Sequence, residues 1–277
     1  MRHVVVRVGH ESGEMLVTLV TNDDEFPASR AFCRELVHRC PFITTVVQNV
    51  NTRQTNVILG EKENRLYGPG FILDTLCGLS FRISSKSFYQ VNSVQTEVLY
   101  NTAIDLAGLD GTQDVIDAYC GTGTIGLVAA SRGARSVVGV DLVESAIRDA
   151  RENARHNGIE NAHFVVGDAG AFMREFAAAG GLADEGVSSA EGSAASAGFT
   201  TGETVVFMDP PRAGSTEEFL DSLVTLAPQR VVYISCNPET QVRDLAYLQK
   251  LGYETTKVVP VDMFPHTNHV ETVALVV

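Results

Sequence analysis

Cys236 closes the run Val231-Val232-Tyr233-Ile234-Ser235-Cys236-Asn237-Pro238. The apolar stretch predicts a strand over Val231–Ile234, and Asn-Pro disfavours its continuation. The thiol is therefore expected at a strand's carboxyl end, where open α/β sheets carry their chemistry. A second strand, Val205–Met208, runs into Asp209-Pro210-Pro211-Arg212. Two prolines remove backbone donors and stiffen that loop, so it can hold a planar base while Asp209 accepts a hydrogen bond from it. A third segment, His269–Val276, carries Glu271. Together these suggest a nucleophile, a substrate-holding acid and a general base. One reaction that needs all three is alkylation of a pyrimidine at carbon 5. That carbon is too weak a nucleophile unaided; a thiolate adding at carbon 6 makes an enolate and activates it. A base must then remove the carbon 5 proton so that the thiol can leave.

An earlier strand, Val115–Tyr119, leads into Cys120-Gly121-Thr122-Gly123-Thr124-Ile125-Gly126. Glycines here allow a tight turn and close approach of the backbone to a ligand. The next strand ends in Asp141, about twenty residues on, where an acid can hold a ribose hydroxyl pair. The strand after it is followed by Asp168, suited to an adenine amino group. Acids after three successive strands fit an adenosine ligand. The glycine spacing does not decide between a dinucleotide and S-adenosylmethionine, because it fits both. With no distinct second substrate domain after the sheet, S-adenosylmethionine is the better fit. Cys120 is expected to pack. Arg212 stands where amino-group methyltransferases commonly place an aromatic residue, which argues against nitrogen methylation.

Positioning these residues requires alternating strands and helices. Strands are predicted at Val115–Tyr119, Ser136–Val140, His163–Val166, Val205–Met208 and Val231–Ile234. Helices follow, clearest at Val143–His156 and Glu239–Leu251. That alternation implies an α/β fold with a mostly parallel sheet. The short Pro265-containing link between Glu254–Val261 and His269–Val276 predicts a terminal antiparallel pair. Residues 1–85 read as a separate small α+β unit. It has a hairpin of Val4–Val8 and Met15–Val20, a helix opened by Pro27-Ala28-Ser29-Arg30, and a strand at Phe42–Val50. Residues 86–277 form the larger domain. The Ala-, Gly- and Ser-rich stretch of about 177–201 is expected to be a flexible insertion.

The chain has 277 residues, 44% of them apolar, enough for one large core and a small satellite. It lacks an apolar run long enough to span a bilayer, and its first residues lack a secretory pattern, so a cytoplasmic location without membrane contact is expected. Five cysteines without a Cys-x-x-Cys pair give no zinc or iron–sulfur pattern, and no metal is expected. His266 and His269 read as polar loop residues, Cys33 and Cys77 as core. A net charge of −13 argues against a generally basic nucleic-acid binder but allows a local basic groove.

The combination of Ser87-Phe88-Tyr89-Gln90-Val91-Asn92, Asp117-Ala118-Tyr119-Cys120-Gly121-Thr122-Gly123, Met208-Asp209-Pro210-Pro211-Arg212, Ser235-Cys236-Asn237-Pro238 and Phe264-Pro265-His266-Thr267-Asn268-His269-Val270-Glu271 resembles the RNA uracil-5-methyltransferase family. That family includes the bacterial tRNA and 23S rRNA 5-methyluridine enzymes. The resemblance implies a Rossmann-like class I methyltransferase with a seven-stranded, mostly parallel sheet and an antiparallel terminal strand. It implies S-adenosylmethionine as cofactor and RNA as partner. By it, Cys236 is the nucleophile, Glu271 the proton acceptor, and Asp209 a catalytic and binding acid. Gln90, Tyr119, Gly121, Thr124, Asp141 and Asp168 line the cofactor or target site, and Arg212 supports the substrate end. Gln90-Val91-Asn92 looks more like the rRNA branch, which favours 23S rRNA over tRNA. Residues 1–85 resemble part of the family's central RNA-recognition domain. The usual N-terminal OB-fold is not matched, so a fragment with little activity alone is the alternative expectation.

Overall fold

Alternating valines build the first hairpin of the computed structural model, which describes residues 1–178 and 203–277. Most of the stretch expected as a flexible insertion lies outside the described residues. The chain divides into two compact units, Met1–Tyr89 and Gln90–Val277.

In the first unit, strand β1 (His3–Val8) pairs antiparallel with β2 (Met15–Thr21). Helix α1 (Ser29–Arg39) then returns the chain to β3 (Ile43–Val50), parallel to β2, and β4 (Lys62–Tyr67) pairs antiparallel with β3. Val17, Leu19, Ile43 and Val46 pack with Cys33 of α1, as expected for that cysteine. A separate hairpin joins β5 (Phe71–Leu76) to β6 (Leu79–Ser84). Its two-residue turn puts Cys77 and Gly78 at φ 52° and 80°, the left-handed pair that matches strand twist. Cys77 is buried in that turn.

The second unit opens with α2 (Ser93–Ala107), capped by the Asn92 side chain, which accepts from the Gln95 amide. Strand β7 (Asp114–Ala118), α3 (Thr124–Ser131), β8 (Ser136–Asp141), α4 (Glu144–His156), β9 (Ala162–Val166) and α5 (Ala169–Ala178) follow. Beyond the undescribed stretch come β10 (Thr204–Met208), α6 (Glu217–Leu226), β11 (Arg230–Ser235), α7 (Pro238–Lys250), β12 (Thr255–Val261) and β13 (Glu271–Val276). The sheet order is β12-β13-β11-β10-β7-β8-β9. Strands β11, β10, β7, β8 and β9 are mutually parallel, and β13 runs antiparallel to both neighbours. This is the predicted Rossmann-like α/β sheet with an antiparallel terminal strand.

The strands are apolar on both faces because helices cover both. Ile116, Val138, Val206, Val231 and Tyr233 pack against α5, α6 and α7. The alternate residues Val115, Phe207, Val232 and Ile234 are equally buried on the opposite pleat. Gly139 is needed in the middle of β8. A Cβ there would lie 2.5 Å from the Phe164 ring and 3.0 Å from Cys120 Sγ. Cys120 is accordingly a packing residue, as its sequence context predicts.

Candidate active site

Parallel strands with right-handed crossovers bring the loops after their carboxyl ends to one edge of the sheet. Strand order therefore fixes the order of the candidate residues along that edge: Glu271, Cys236, Asp209, Tyr119, Asp141 and Asp168. Adjacent strands lie about 4.8 Å apart. The β11–β13 register pairs Ser235 with Thr272, which sets Cys236 beside Glu271. Met208 pairs with both Ala118 and Tyr233, which sets Asp209 between the two halves of the edge.

The chemical half holds the thiol and two carboxylates in mutual electrostatic contact. Glu271 is 4% exposed, and burial pushes its carboxyl up to about 7. Asp209 is pushed up to about 8 by burial, then by the charges of Glu271 and Asp117. It therefore carries a proton at neutral pH and can donate a hydrogen bond as well as accept one. Burial is the main reason and crowding among carboxylates the second, and no single motif reveals either. The Cys236 thiol is raised by burial, then by Glu271 and Asp209, against a smaller opposing pull from Arg212. The side chain therefore rests as the neutral thiol. Arg212 donates to His269 Nδ1 at 3.2 Å, and the Asn237 and Thr240 side chains donate to the Arg212 carbonyl at 3.2 and 3.3 Å. These bonds hold the proline loop against the strand end that bears the thiol. His266 sits in the loop before Glu271 at φ 67°, a backbone region that non-glycine residues seldom occupy and that clusters at functional sites.

The nucleotide half is built on β7, β8 and β9. Tyr119 leaves β7 at φ 65°; its hydroxyl lies 3.3 Å from Ser215 Oγ and its ring 5.3 Å from that of Phe219. Asp141 accepts from the Gly121 amide at 2.9 Å and the Val143 amide at 2.8 Å, so the glycine turn is fastened to the acid. Gly121 has a positive φ, and a Cβ there would meet nothing within 4 Å, which leaves open space beside the turn. Thr124 opens α3 and lies 3.0 Å from the Tyr100 hydroxyl. Asp168 is exposed and accepts from the Ala171 amide at 2.9 Å. Gln90, half-buried, precedes α2 at the start of this unit. Two residues later the Asn92 amide donates to the Met263 carbonyl at 3.1 Å. That bond ties the Gln90 segment to the loop before Glu271.

Residues outside the sequence reading complete the site. Asp117 was read there only as part of its motif. It is 1% exposed, its Oδ2 accepts from the Gly126 amide at 2.8 Å, and its Oδ1 is buried with no hydrogen-bond partner. Burial pushes it up to about 7. A second carboxylate inside a fully buried five-residue strand, three residues after Asp114, was the available signal. Leu142 and Val143 expose apolar surface directly after Asp141, which suits the face of a flat ring. An adenosine-bearing ligand with a cationic group fits this half: acids for hydroxyl and amino donors, an apolar ledge, open space at Gly121 and an orphaned acceptor on Asp117. Among the described residues no three His, Cys, Asp or Glu side chains cluster to hold a metal.

Holding acids in their neutral form lowers stability as pH rises. The folded Asp209 carboxyl is raised, so its contribution is full below the unfolded value near 4 and is lost as pH climbs through about 8. Asp209→Asn is neutral throughout that window. Its advantage over the parent should grow from pH 5 to pH 8 and level off above. A rise from near 4 to about 8 corresponds to on the order of 5 kcal/mol, so the melting temperature should rise by at least several degrees. Scanning calorimetry across pH 5–9 checks this, and a pH-independent difference would mean that Asp209 is ionised throughout.

The model of the tRNA (uracil-5-)-methyltransferase family matches residues 75–277. Among curated relatives, an RNA methyltransferase of Halalkalibacterium halodurans is 45% identical over 275 residues, 99% of this chain and 56% of its own length. One from Oceanobacillus iheyensis is 43% identical over 274 residues, 99% of this chain and 55% of its own length. The chain thus spans about half the length of the curated relatives it matches. Among solved structures, the Pyrococcus abyssi tRNA (uracil-54, C5)-methyltransferase in complex with S-adenosyl-L-homocysteine superposes with a TM-score of 0.75 at 30% identity. It covers 99% of this chain, which spans 59% of it. The Pyrococcus horikoshii TYW2 complex with MeSAdo, at 13% identity and a TM-score of 0.55, matches over 99% of this chain and 90% of its own; at that identity it shares the fold alone. With nearly three quarters of its length matched by the family model, the chain belongs to the tRNA (uracil-5-)-methyltransferase family.

Proposed function

We propose that this chain methylates carbon 5 of uridine in RNA with S-adenosylmethionine, through a covalent bond between Cys236 and carbon 6. The observation that carries the reading is the packing of Cys236 beside Glu271 and Asp209 at neighbouring strand ends. Asp141, Asp168, Tyr119, Gly121, Thr124 and Gln90 would hold the cofactor, with Asp117 facing its cationic end. When bound, S-adenosylmethionine supplies an electrophilic methyl group.

The chain's own residues do the rest. A target uridine leaves its stack to reach the edge of the sheet, and Asp209, neutral at physiological pH, donates to or accepts from its polar edge. Cys236 gives up its proton to solvent, and its sulfur bonds to carbon 6 while the ring's electron pair moves onto the carbonyl. Arg212 favours the thiolate. Carbon 5 takes the methyl group. Glu271 then removes the carbon 5 proton, the ring double bond re-forms, and the carbon–sulfur bond breaks. A base near 7 suits that step.

For the RNA, we favour 23S rRNA, on the Gln90-Val91-Asn92 sequence. The tRNA reading is favoured by the substrate of the Pyrococcus abyssi relative. The test uses 5-fluorouridine-containing 23S rRNA fragments and tRNA transcripts with S-adenosylmethionine. Fluorine cannot leave as a proton, so the adduct should stall. A denaturation-resistant band mapping to Cys236 on rRNA supports the whole reading, and a band on tRNA alone moves the target. Turnover of ordinary uridine RNA without any trapped band would overturn the covalent mechanism.

A further inference from the structure

Asp244 lies on α7, far along the helix from Cys236, and is 2% exposed. Its Oδ2 accepts from the Tyr233 hydroxyl at 2.7 Å and from the Ser215 amide at 2.8 Å. Its Oδ1 accepts from Arg243 Nε at 2.9 Å and Nη2 at 2.7 Å. The same Arg243 Nη2 donates to the carbonyls of Ala213 at 3.0 Å and Ser215 at 3.1 Å. Tyr233 stands on β11, three residues before Cys236. Ser215 ends the loop that starts at Asp209, and its hydroxyl meets Tyr119 from the nucleotide half. One buried carboxylate therefore joins the strand that carries the thiol, the loop that carries the acid and, through Ser215, the turn after β7. Gly214, at φ 80°, lets the loop pass: a Cβ would lie 2.6 Å from both Asp244 Oδ2 and Arg243 Nη2.

We propose that Asp244 is a positioning residue that fixes the Asp209–Ser215 loop against the Cys236 strand end, so that thiol and acid meet the substrate together. This rests on the reading of Cys236 and Asp209 as the reacting groups. Asp244 touches neither, and acts through Tyr233, Ser215 and Arg243. A carboxylate does this better than an amide because both of its oxygens accept, and four donors converge on it. Freeing the loop lets Asp209 move away and water reach Cys236, both of which ease ionisation of the thiol.

Two near-isosteric variants test it: Tyr233→Phe, which deletes one donor, and Asp244→Asn, which cannot accept from Arg243 with its amide nitrogen. Alkylation by iodoacetamide, mapped to each cysteine by mass spectrometry from pH 7 to pH 10, reports the thiol without any RNA. Cys236 should label roughly threefold faster or more in both variants, with its pH profile shifted down, while Cys40 labels at the parent rate. In methylation assays kcat should fall roughly 10- to 100-fold with KM for RNA little changed, since geometry at the reacting atoms is lost. Unchanged Cys236 labelling in both variants overturns the proposal. So does a parallel rise at Cys40, which would mean general loosening. A parent protein that methylates no RNA would sink the proposed function, and the labelling result would still decide the role of Asp244.

Discussion

Cys236→Ala should lose RNA methylation by on the order of 10,000-fold or more, with binding of S-adenosylhomocysteine kept within about twofold. The size of the loss follows from the chemistry. Without a sulfur at carbon 6, carbon 5 of uridine has no enolate to push it toward the methyl group, and the other thiol at this edge among the described residues, Cys120, is buried in packing. Selectivity for catalysis follows from the geometry. The thiol lies in the chemical half, beyond Asp209, whereas the proposed cofactor contacts sit on β7, β8 and β9. Half-buried Cys236 packs at a strand end, outside the central core, so its truncation should cost little stability. Cys236→Ser is a sharper control. Its hydroxyl keeps the shape, but it is a far weaker acid than a thiol, and in surroundings that already raise Cys236 it would not ionise. Calorimetric titration with S-adenosylhomocysteine, alongside methyl incorporation into RNA, separates the two effects. Activity persisting in both variants would return the thiol to a structural role and move the reaction to another class.

The strand ends were legible because the signals are local. Asn-Pro after Cys236 and Pro-Pro after Asp209 stop strands whatever surrounds them, and both strands end there. The short link before Glu271 also gave the antiparallel terminal pair correctly. Helix α2 went unread, although Asn92 and Gln95 carry a capping signal. Strands β4, β5 and β6 were unread as well: charged and apolar residues mix there, and the hairpin turn uses Cys77 where Asn or Asp is usual. The electrostatics of the site were not legible at all. Asp117, Asp209 and Glu271 belong to β7, the end of β10 and β13, far apart in the chain and brought to one edge only by the assembled sheet. Each acid looks ordinary by itself, and only their shared burial raises them. The Asp244 network was hidden for the same reason: its partners Tyr233 and Ser215 are 11 and 29 residues away.

Glu271→Gln should separate bond making from release. The amide keeps the size and much of the hydrogen bonding of the acid but cannot take up a proton. Addition of Cys236 and transfer of the methyl group should still occur, and the carbon 5 proton should then stay in place. Natural, unfluorinated RNA should accumulate as a denaturation-resistant adduct already bearing the methyl group. Multiple turnover should fall by roughly 100- to 10,000-fold, the range for loss of a general base. The pH dependence gives an independent check. Glu271 must be ionised to accept the proton, so release by the parent should rise with pH through about 7 and then level off. Were the carboxyl at its ordinary value near 4.5, release would already be flat across neutral pH. In Glu271→Gln that limb should vanish from whatever slow release remains. Single-turnover quench experiments from pH 5.5 to pH 9, with adduct and free methylated RNA resolved on a denaturing gel, measure both. No adduct at all would mean that Glu271 acts earlier, in ionising Cys236, and an adduct without the methyl group would place it in the methyl-transfer step. Ordinary turnover would remove it from the mechanism and leave Asp209, raised to about 8, as the remaining carboxylate beside the thiol.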